Sequence, residues 1–238
     1  MCLSKASADQ IEWNLRPPAV GLLQERRVPV SMMVFVLILL ASVTFDGFLE
    51  TPLWIQILDR TLGDEIFLVG NVALILFPMI FCLVYLLFCW MMFRSAVLAG
   101  GHPSEWNVRS TLEVACTFIL TLVPIAIAYH LAHYLSFLLI TGQYLIPLIS
   151  DPLGLGWDLF GTAEYRTNIG VLNAKAAWYA AVFSVVCGHV FSVYIAHVAA
   201  KRAFGDARVA LWSQIPMIAL MVVYTMLSLW ILAQPMVG

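Results

Sequence analysis

The sequence predicts an all-α fold, a polytopic membrane helical bundle with about five transmembrane helices. The first observation behind this prediction is composition: 62% of the 238 residues are hydrophobic and only 11% are charged, whereas a soluble domain is about a quarter charged. The second is that the apolar residues gather in five long runs almost free of charge. Runs of that length form helices able to cross a hydrocarbon core of about 30 Å.

The domain organisation follows from these runs. We expect a cytoplasmic N-terminal segment over residues 1–27 and a transmembrane domain over residues 28–238. The spans are predicted at residues 28–45, 66–93, 111–140, 176–200 and 210–232. The first run is the shortest, about 27 Å at a rise of ~1.5 Å per residue. A cleaved signal peptide is its alternative interpretation, although the run is longer than a usual signal core.

Three features between and within the spans predict local structure. Thr51 followed by Pro52 is a good helix start, so a short interfacial helix is expected over residues 53–58. Pro124 is expected to kink the third span because proline cannot donate a backbone hydrogen bond. Residues 142–173 form a long connection rich in Gly, Pro and aromatic residues, and a connection of this length predicts a lid or a binding loop.

The distribution of basic residues predicts the orientation. One side of the membrane receives Arg26, Arg27, Arg94, Arg109, Lys201, Arg202 and Arg208, and the other receives only Arg60, Arg166 and Lys175. By the positive-inside rule the N-terminus is cytoplasmic and the C-terminus is outside. Residues 46–50 and the connection 142–173 then share the outer face.

Polar groups inside the apolar runs are the candidate functional residues. His130 and His133 lie three residues apart, which places them on one face of a helix, and Tyr134 follows directly. His189 in the fourth span lies roughly 16 Å below its outer end, the same depth as His130 at ~1.5 Å per residue. Polar groups in hydrocarbon are costly unless they have partners, so these side chains are expected to meet other polar groups.

Two carboxylates at the outer end of the first span supply candidate partners. Asp46 and Glu50 are one turn apart if the helix continues through Gly47. Together with His130, His133 and His189 they make a ligand set suited to Zn, Mn or Fe, as a single ion or a pair. Such a metal could lower the pKa of bound water to about 7. Glu50 and Tyr134 are the predicted catalytic residues, and either Tyr129 or Tyr134 would donate a hydrogen bond to a developing oxyanion.

Other interpretations of the same residues stay open. The histidines could join neighbouring helices by hydrogen bonds, Asp46 could cap the following segment, and Glu50 could face water at the interface. A b-type haem could use His130 or His133 with His189 as axial ligands. A transporter subunit could use Asp46, Glu50 and the histidines as an ion or proton relay. The five cysteines form no CxxC pair, and no basic cluster suggests nucleic acid binding.

Three segments of the chain resemble a known group of proteins. Residues 44–54, 128–134 and 150–157 are similar to the fenitrothion hydrolase-like polytopic membrane proteins of bacteria, and the resemblance runs from about Trp13 to the C-terminus. It implies a hydrolase of organophosphate triesters in the bacterial inner membrane. Members of that group carry further apolar helices before the segment like residues 13–20, so the resemblance also implies a half-length form or a partner membrane chain.

The sequence therefore predicts a membrane-embedded, metal-dependent hydrolase, with a haem-binding redox subunit and an ion- or proton-handling transporter subunit as alternatives. Its expected partners are the lipid bilayer and either a second copy or another membrane chain.

Overall fold

The computed structural model describes residues 20–23, 28–60 and 65–234, and this part of the chain is all-α. The predicted cytoplasmic segment, including Arg26 and Arg27, lies outside the described residues except for a 3-10 turn at Val20–Leu23. The α-helices are α1 (Val30–Leu49), α2 (Pro52–Asp59), α3 (Glu65–Leu98), α4 (Thr111–Phe118), α5 (Val123–Ile140), α6 (Leu145–Ser150), α7 (Ala174–Phe204) and α8 (Ala207–Leu232).

Five stretches of helix in the described residues are long and apolar enough to cross a membrane. They are Val30–Leu49, Phe67–Leu98, Thr111–Ser150, Lys175–Phe204 and Ala207–Leu232. The prediction of an all-α protein with five long apolar helices is therefore confirmed. The helices extend beyond several predicted boundaries, and α1 continues to Leu49. Asp46 is consequently a residue of α1 itself.

The third span is interrupted where Pro124 was expected to kink it. A 3-10 turn over Ile119–Leu122 separates α4 from α5, and Pro124 lies in the first turn of α5. Proline is well tolerated at that position because its missing N–H would have no intrahelical acceptor. The interruption thus precedes the proline and divides the span into two helices.

Short capping motifs define helix ends on both sides of the bundle. Thr51 caps α2, where its side chain accepts a hydrogen bond from the backbone N–H of Trp54, and Pro52 is the first residue of that helix. The predicted short helix is confirmed. At the other end of the bundle, Gly205 ends α7 with a φ of 70°, and Asp206 caps α8 by accepting from the N–H of Val209.

The packing of the long helices places α1, α5, α7 and α8 around one interior space. α1 packs against α3, α5 and α8, and α7 packs between α5 and α8. α5 and α7 approach closely at Gly188, where a Cβ would lie 2.4 Å from the Cβ of Ala128 and 2.9 Å from the carbonyl oxygen of Pro124. Small residues permit such close helix contacts in membranes. The C-terminal ends of α1, α5 and α8 and the N-terminal end of α7 form what we call the site end of the bundle.

Candidate functional site

The central cluster of the candidate site joins α1 to α5 through three side chains. The Oδ2 atom of Asp46 lies 3.1 Å from Nε2 of His133, and it accepts a 2.7 Å hydrogen bond from the hydroxyl of Tyr134. The side chain of His133 is 10% exposed and that of Asp46 is 48% exposed. An enclosed imidazole therefore contacts a carboxylate at the edge of the bundle, a charge-assisted arrangement when the histidine is protonated.

Gly47 allows this cluster to form beside α8. A Cβ at Gly47 would lie 2.8 Å from Cγ2 of Ile231, 3.4 Å from the hydroxyl oxygen of Tyr129 and 3.6 Å from Cε1 of His133. The first of these distances is shorter than a normal van der Waals contact. Glycine at this position lets both α5 and α8 approach the backbone of α1.

A pocket of about 220 Å³ opens beside His133 at the site end. Its walls come from α1, α5, α7 and α8 and are mostly apolar, with Trp178 and Ile231 as the largest side chains. The side chains that bring polar atoms to the lining are Glu50, Thr51, His133, Ser136 and Gln234. His133 is thus the residue that connects the pocket to the Asp46 carboxylate.

A second group of polar side chains lies inside the bundle around Tyr224 of α8. The hydroxyl oxygens of Tyr224 and Thr44 are 2.8 Å apart, and Thr44 also donates to the carbonyl of Leu40 at 2.7 Å. Tyr224 therefore donates to Thr44. The ring centroids of Tyr129 and His189 lie 6.1 Å and 6.2 Å from that of Tyr224, so both rings are neighbours of Tyr224.

Two atoms of this interior group have no hydrogen-bond partner in the part of the chain that the structure describes. They are the hydroxyl of Tyr129 and Nε2 of His189. The other ring nitrogen of His189, Nδ1, is 2.8 Å from the carbonyl of Val185, to which it donates. Buried polar atoms are usually paired, so these two are the strongest sign of chemistry away from the pocket.

The structure brings together three of the predicted site residues and places a fourth nearby. Asp46, His133 and Tyr134 are in contact, and Glu50 lines the adjoining pocket. His130 instead donates from Nδ1 to the carbonyl of Ala126 at 2.8 Å. Residues three apart on a helix differ by about 60° in direction, which is enough to point His130 away from the acceptor that His133 uses.

The predicted metal ligands do not converge. Within residues 20–23, 28–60 and 65–234, no group of three or more His, Cys, Asp and Glu side chains is placed to hold a metal ion. His189 has Tyr224 as its ring neighbour, which gives the predicted haem no support. Metal and haem binding both stay predictions.

Tyr134 and the connection 142–173 are positioned differently from what the sequence predicted. The hydroxyl hydrogen of Tyr134 is used by Asp46, so this tyrosine positions the carboxylate instead of facing the pocket. None of the residues lining the pocket belongs to the connection 142–173, so the structure does not place that connection over it as a lid.

Sequence reasoning missed Tyr224 and Thr44 as members of an interior polar group, and Ser136 as part of the pocket lining. A signal was present for Tyr224: it and Ser228 lie one turn apart in the last span, which places two hydroxyl groups on one face of the helix. The spacing places both on the buried face of α8.

No family model, curated protein or solved structure gave a significant match to this chain. The resemblance to the fenitrothion hydrolase-like proteins therefore stays a prediction.

Proposed function

We propose that this protein is a membrane-embedded hydrolase in which His133 is the general base and Asp46 orients it. The observation that carries the proposal is the position of His133, which contacts the Asp46 carboxylate on one side and lines the pocket on the other. A base held by a carboxylate beside a space for substrate is the arrangement that activates water or a hydroxyl nucleophile.

The proposed proton transfer uses both ring nitrogens of His133. When Nε2–H of His133 donates to Asp46, Nδ1 is the basic nitrogen and takes the proton from an attacking water. The Asp46 carboxylate then stabilises the imidazolium, and Tyr134 holds that carboxylate in place by its 2.7 Å hydrogen bond. Glu50 lies at the exposed rim of the pocket, and its proposed role is that of the second acid–base group, which protonates the leaving group.

The size and the lining of the pocket suit an apolar substrate of which only the reacting group is enclosed. Its volume of about 220 Å³ is below the roughly 300–1,000 Å³ typical of ligand pockets. The pocket would therefore enclose only part of a drug-sized substrate. The mostly apolar walls favour an uncharged ester over a charged one, because a charge loses its hydration there. A neutral phosphate triester, the class implied by the sequence resemblance, fits both conditions.

A metal-dependent form of this hydrolase is the alternative mechanism that we propose. Asp46 and His133 are ligand types that Zn, Mn and Fe use, and a bound metal would supply an activated water. Elemental analysis of the purified protein tests this arm, and a stoichiometric metal would replace His133 as the source of the nucleophile.

We also propose a membrane and an orientation for the protein. The sequence resemblance implies a bacterial inner membrane, and the basic residues predict that the N-terminus is cytoplasmic and the site end outside. A second copy or another membrane chain is the expected protein partner.

The test is hydrolysis of a panel of chromogenic carboxylic esters and neutral phosphate triesters by the purified protein in lipid nanodiscs. The expected result is activity on at least one neutral ester, which His133→Gln reduces roughly 10²–10⁴-fold, the usual contribution of a general base. His130→Gln is the matched control, since His130 lies one turn away on the same helix and bonds to its own backbone. Its activity should stay near that of the wild type.

Absence of hydrolysis across the panel, or equal losses from His133→Gln and His130→Gln, would overturn the proposal.

The second candidate function is a proton-handling membrane subunit, favoured by the two unpaired atoms near Tyr224. Within the described residues, the hydroxyl of Tyr129 and Nε2 of His189 are buried, unpaired and close to Tyr224. Groups that pass a proton along a chain of ordered water would have these properties.

Proton flux into liposomes tests this candidate. The relay predicts measurable flux that Tyr129→Phe and His189→Phe both reduce, while His130→Phe leaves it unchanged. Flux that is no greater than in empty liposomes excludes it.

A further inference from the structure

The two carboxylates in the connection that follows α5 accept hydrogen bonds from groups of the connection itself. Asp151 accepts hydrogen bonds from the backbone N–H groups of Leu155 at 2.9 Å and Gly156 at 2.8 Å. Asp158 accepts from the hydroxyl of Ser150 at 2.8 Å and from the N–H of Ala163 at 3.0 Å. The two carboxylates between residues 114 and 163 are therefore both used to fold the connection itself.

The outward-facing side chains of the same segment are large and apolar. They are between 36% and 68% exposed and comprise Leu145, Ile146, Leu148, Ile149, Leu153, Leu155, Trp157, Leu159 and Phe160. This set covers α6 and the turns after it. A continuous apolar surface of this kind on a folded loop marks an interaction site. We call it the apolar loop face.

The apolar loop face continues the exposed apolar surface of α5. Leu131 and Leu138 of that helix are 48% and 58% exposed, and only a 3-10 turn separates α5 from α6. No charged residue occurs between Glu113 and Asp151. The surface that meets lipid along the span therefore extends without a charged break into the connection.

We infer that residues 145–160 lie in the bilayer interface at the site end, with the apolar loop face in contact with lipid. A solvated loop would bury its leucines, whereas this segment exposes them and uses its carboxylates as hydrogen-bond acceptors within the loop. Trp157 is 45% exposed, and an indole ring with one polar edge is favoured at the boundary between headgroups and acyl chains. The segment thus anchors the site end of the bundle to one leaflet.

The test is photolabelling of the full-length protein in vesicles of phosphatidylcholine that carries a diazirine near the acyl carbonyl. Peptides are then mapped by mass spectrometry. We expect residues 145–160 to be labelled as strongly as the exposed helix α3, and several-fold more than residues 162–168 of the same connection, which serve as the polar control. Label on 145–160 no greater than on 162–168 overturns the inference, as does capture of that face by a second copy.

Leu155→Asp supplies a second measurement that keeps the backbone contact with Asp151. Because this side chain is 63% exposed, the substitution leaves the bundle folded. It should lower the labelling of 145–160 several-fold and leave that of α3 unchanged. Unchanged labelling of 145–160 counts against lipid contact at this face.

Discussion

Asp46 and His133 are 87 positions apart in the chain, and their side chains meet at 3.1 Å between Oδ2 and Nε2. The contact depends on α1 running unbroken through Gly47, because a helix end at residue 45 would release Asp46 from the face that α5 contacts. Local helix continuity in α1 and the packing of α1 on α5 together create the pair on which the proposed chemistry rests.

The close approach of α5 and α7 predicts a marked loss of stability from Gly188→Ala. The new Cβ would lie 2.4 Å from that of Ala128 and 2.9 Å from a backbone oxygen, so the helices must separate. Overpacking of this kind costs about 1–3 kcal/mol. Thermal unfolding in detergent measures the change, and a lower Tm is expected.

Gly70→Ala is the matched control for that substitution. Gly70 also lies in a long apolar helix, α3, but nothing lies within 4 Å of an added Cβ. Alanine there should be neutral or stabilising, since glycine in a helix interior costs roughly 0.5–1 kcal/mol relative to alanine. Equal effects of the two substitutions would show that helix propensity, and not the α5–α7 contact, controls the response.

The hydrogen bond between Thr44 and Tyr224 predicts energetic coupling between α1 and α8. Thr44→Val and Tyr224→Phe each remove one partner of the 2.8 Å contact. A double-mutant cycle on unfolding free energy should give a coupling of about 0.5–1.5 kcal/mol, the usual net value of such a bond. Additive effects of the two substitutions would show that the contact contributes nothing to stability.

The small size of Gly47 predicts that Gly47→Ala impairs hydrolysis more than folding. The added methyl meets Ile231 at 2.8 Å and approaches Cε1 of His133, so relaxation displaces the base or narrows the pocket. We expect kcat/KM to fall at least tenfold, since an error of about 1 Å in catalytic geometry can cost about 100-fold. The double variant Gly47→Ala with Ile231→Ala provides space for the methyl and should recover part of the loss. No recovery would place the defect elsewhere.

Asp158 predicts that the order of the connection depends on pH. The N–H of Ala163 and the hydroxyl of Ser150 hold the pKa of Asp158 below its ordinary value of 3.8. The folded connection therefore binds this proton less readily than an unfolded one. The stabilising contribution is present above pH 3.8 and is lost as the pH falls through the lowered pKa.

Hydrogen exchange of the Ala163 amide, corrected for its intrinsic pH dependence, measures this effect. Protection should fall in acid for the wild type and be low at every pH for Asp158→Asn. Wild-type protection at neutral pH that is no greater than that of Asp158→Asn contradicts the assignment.

Much of the fold could be predicted because apolar runs of membrane-spanning length leave the backbone few alternatives to helix. Thr51 and Pro52 marked the start of α2 for an equally local reason, since side-chain capping involves residues only a few positions apart. The first span, predicted at residues 28–45, is four residues shorter at its C-terminal end than α1. The prediction ends there because Asp46 is the first charged residue after the apolar run.

The site could be predicted only in part because it depends on helix rotation. The sequence placed Asp46 and His133 at the same end of the bundle, and the structure brings them into contact. It also matched His130 with His189 by depth, but depth along the axis does not specify direction around it. Tyr224 lies beside His189, and nothing in the sequence determines which face of α8 is turned towards α7.

The most direct test of the central claim is a double-mutant cycle on kcat/KM with Asp46→Asn, His133→Gln and the double variant, using the neutral ester that the wild type hydrolyses best. If the two residues act as one acid–base unit, the double variant will be no slower than His133→Gln alone, because residues that act as a unit have strongly non-additive effects. If the two losses multiply, Asp46 and His133 act independently and the account is contradicted.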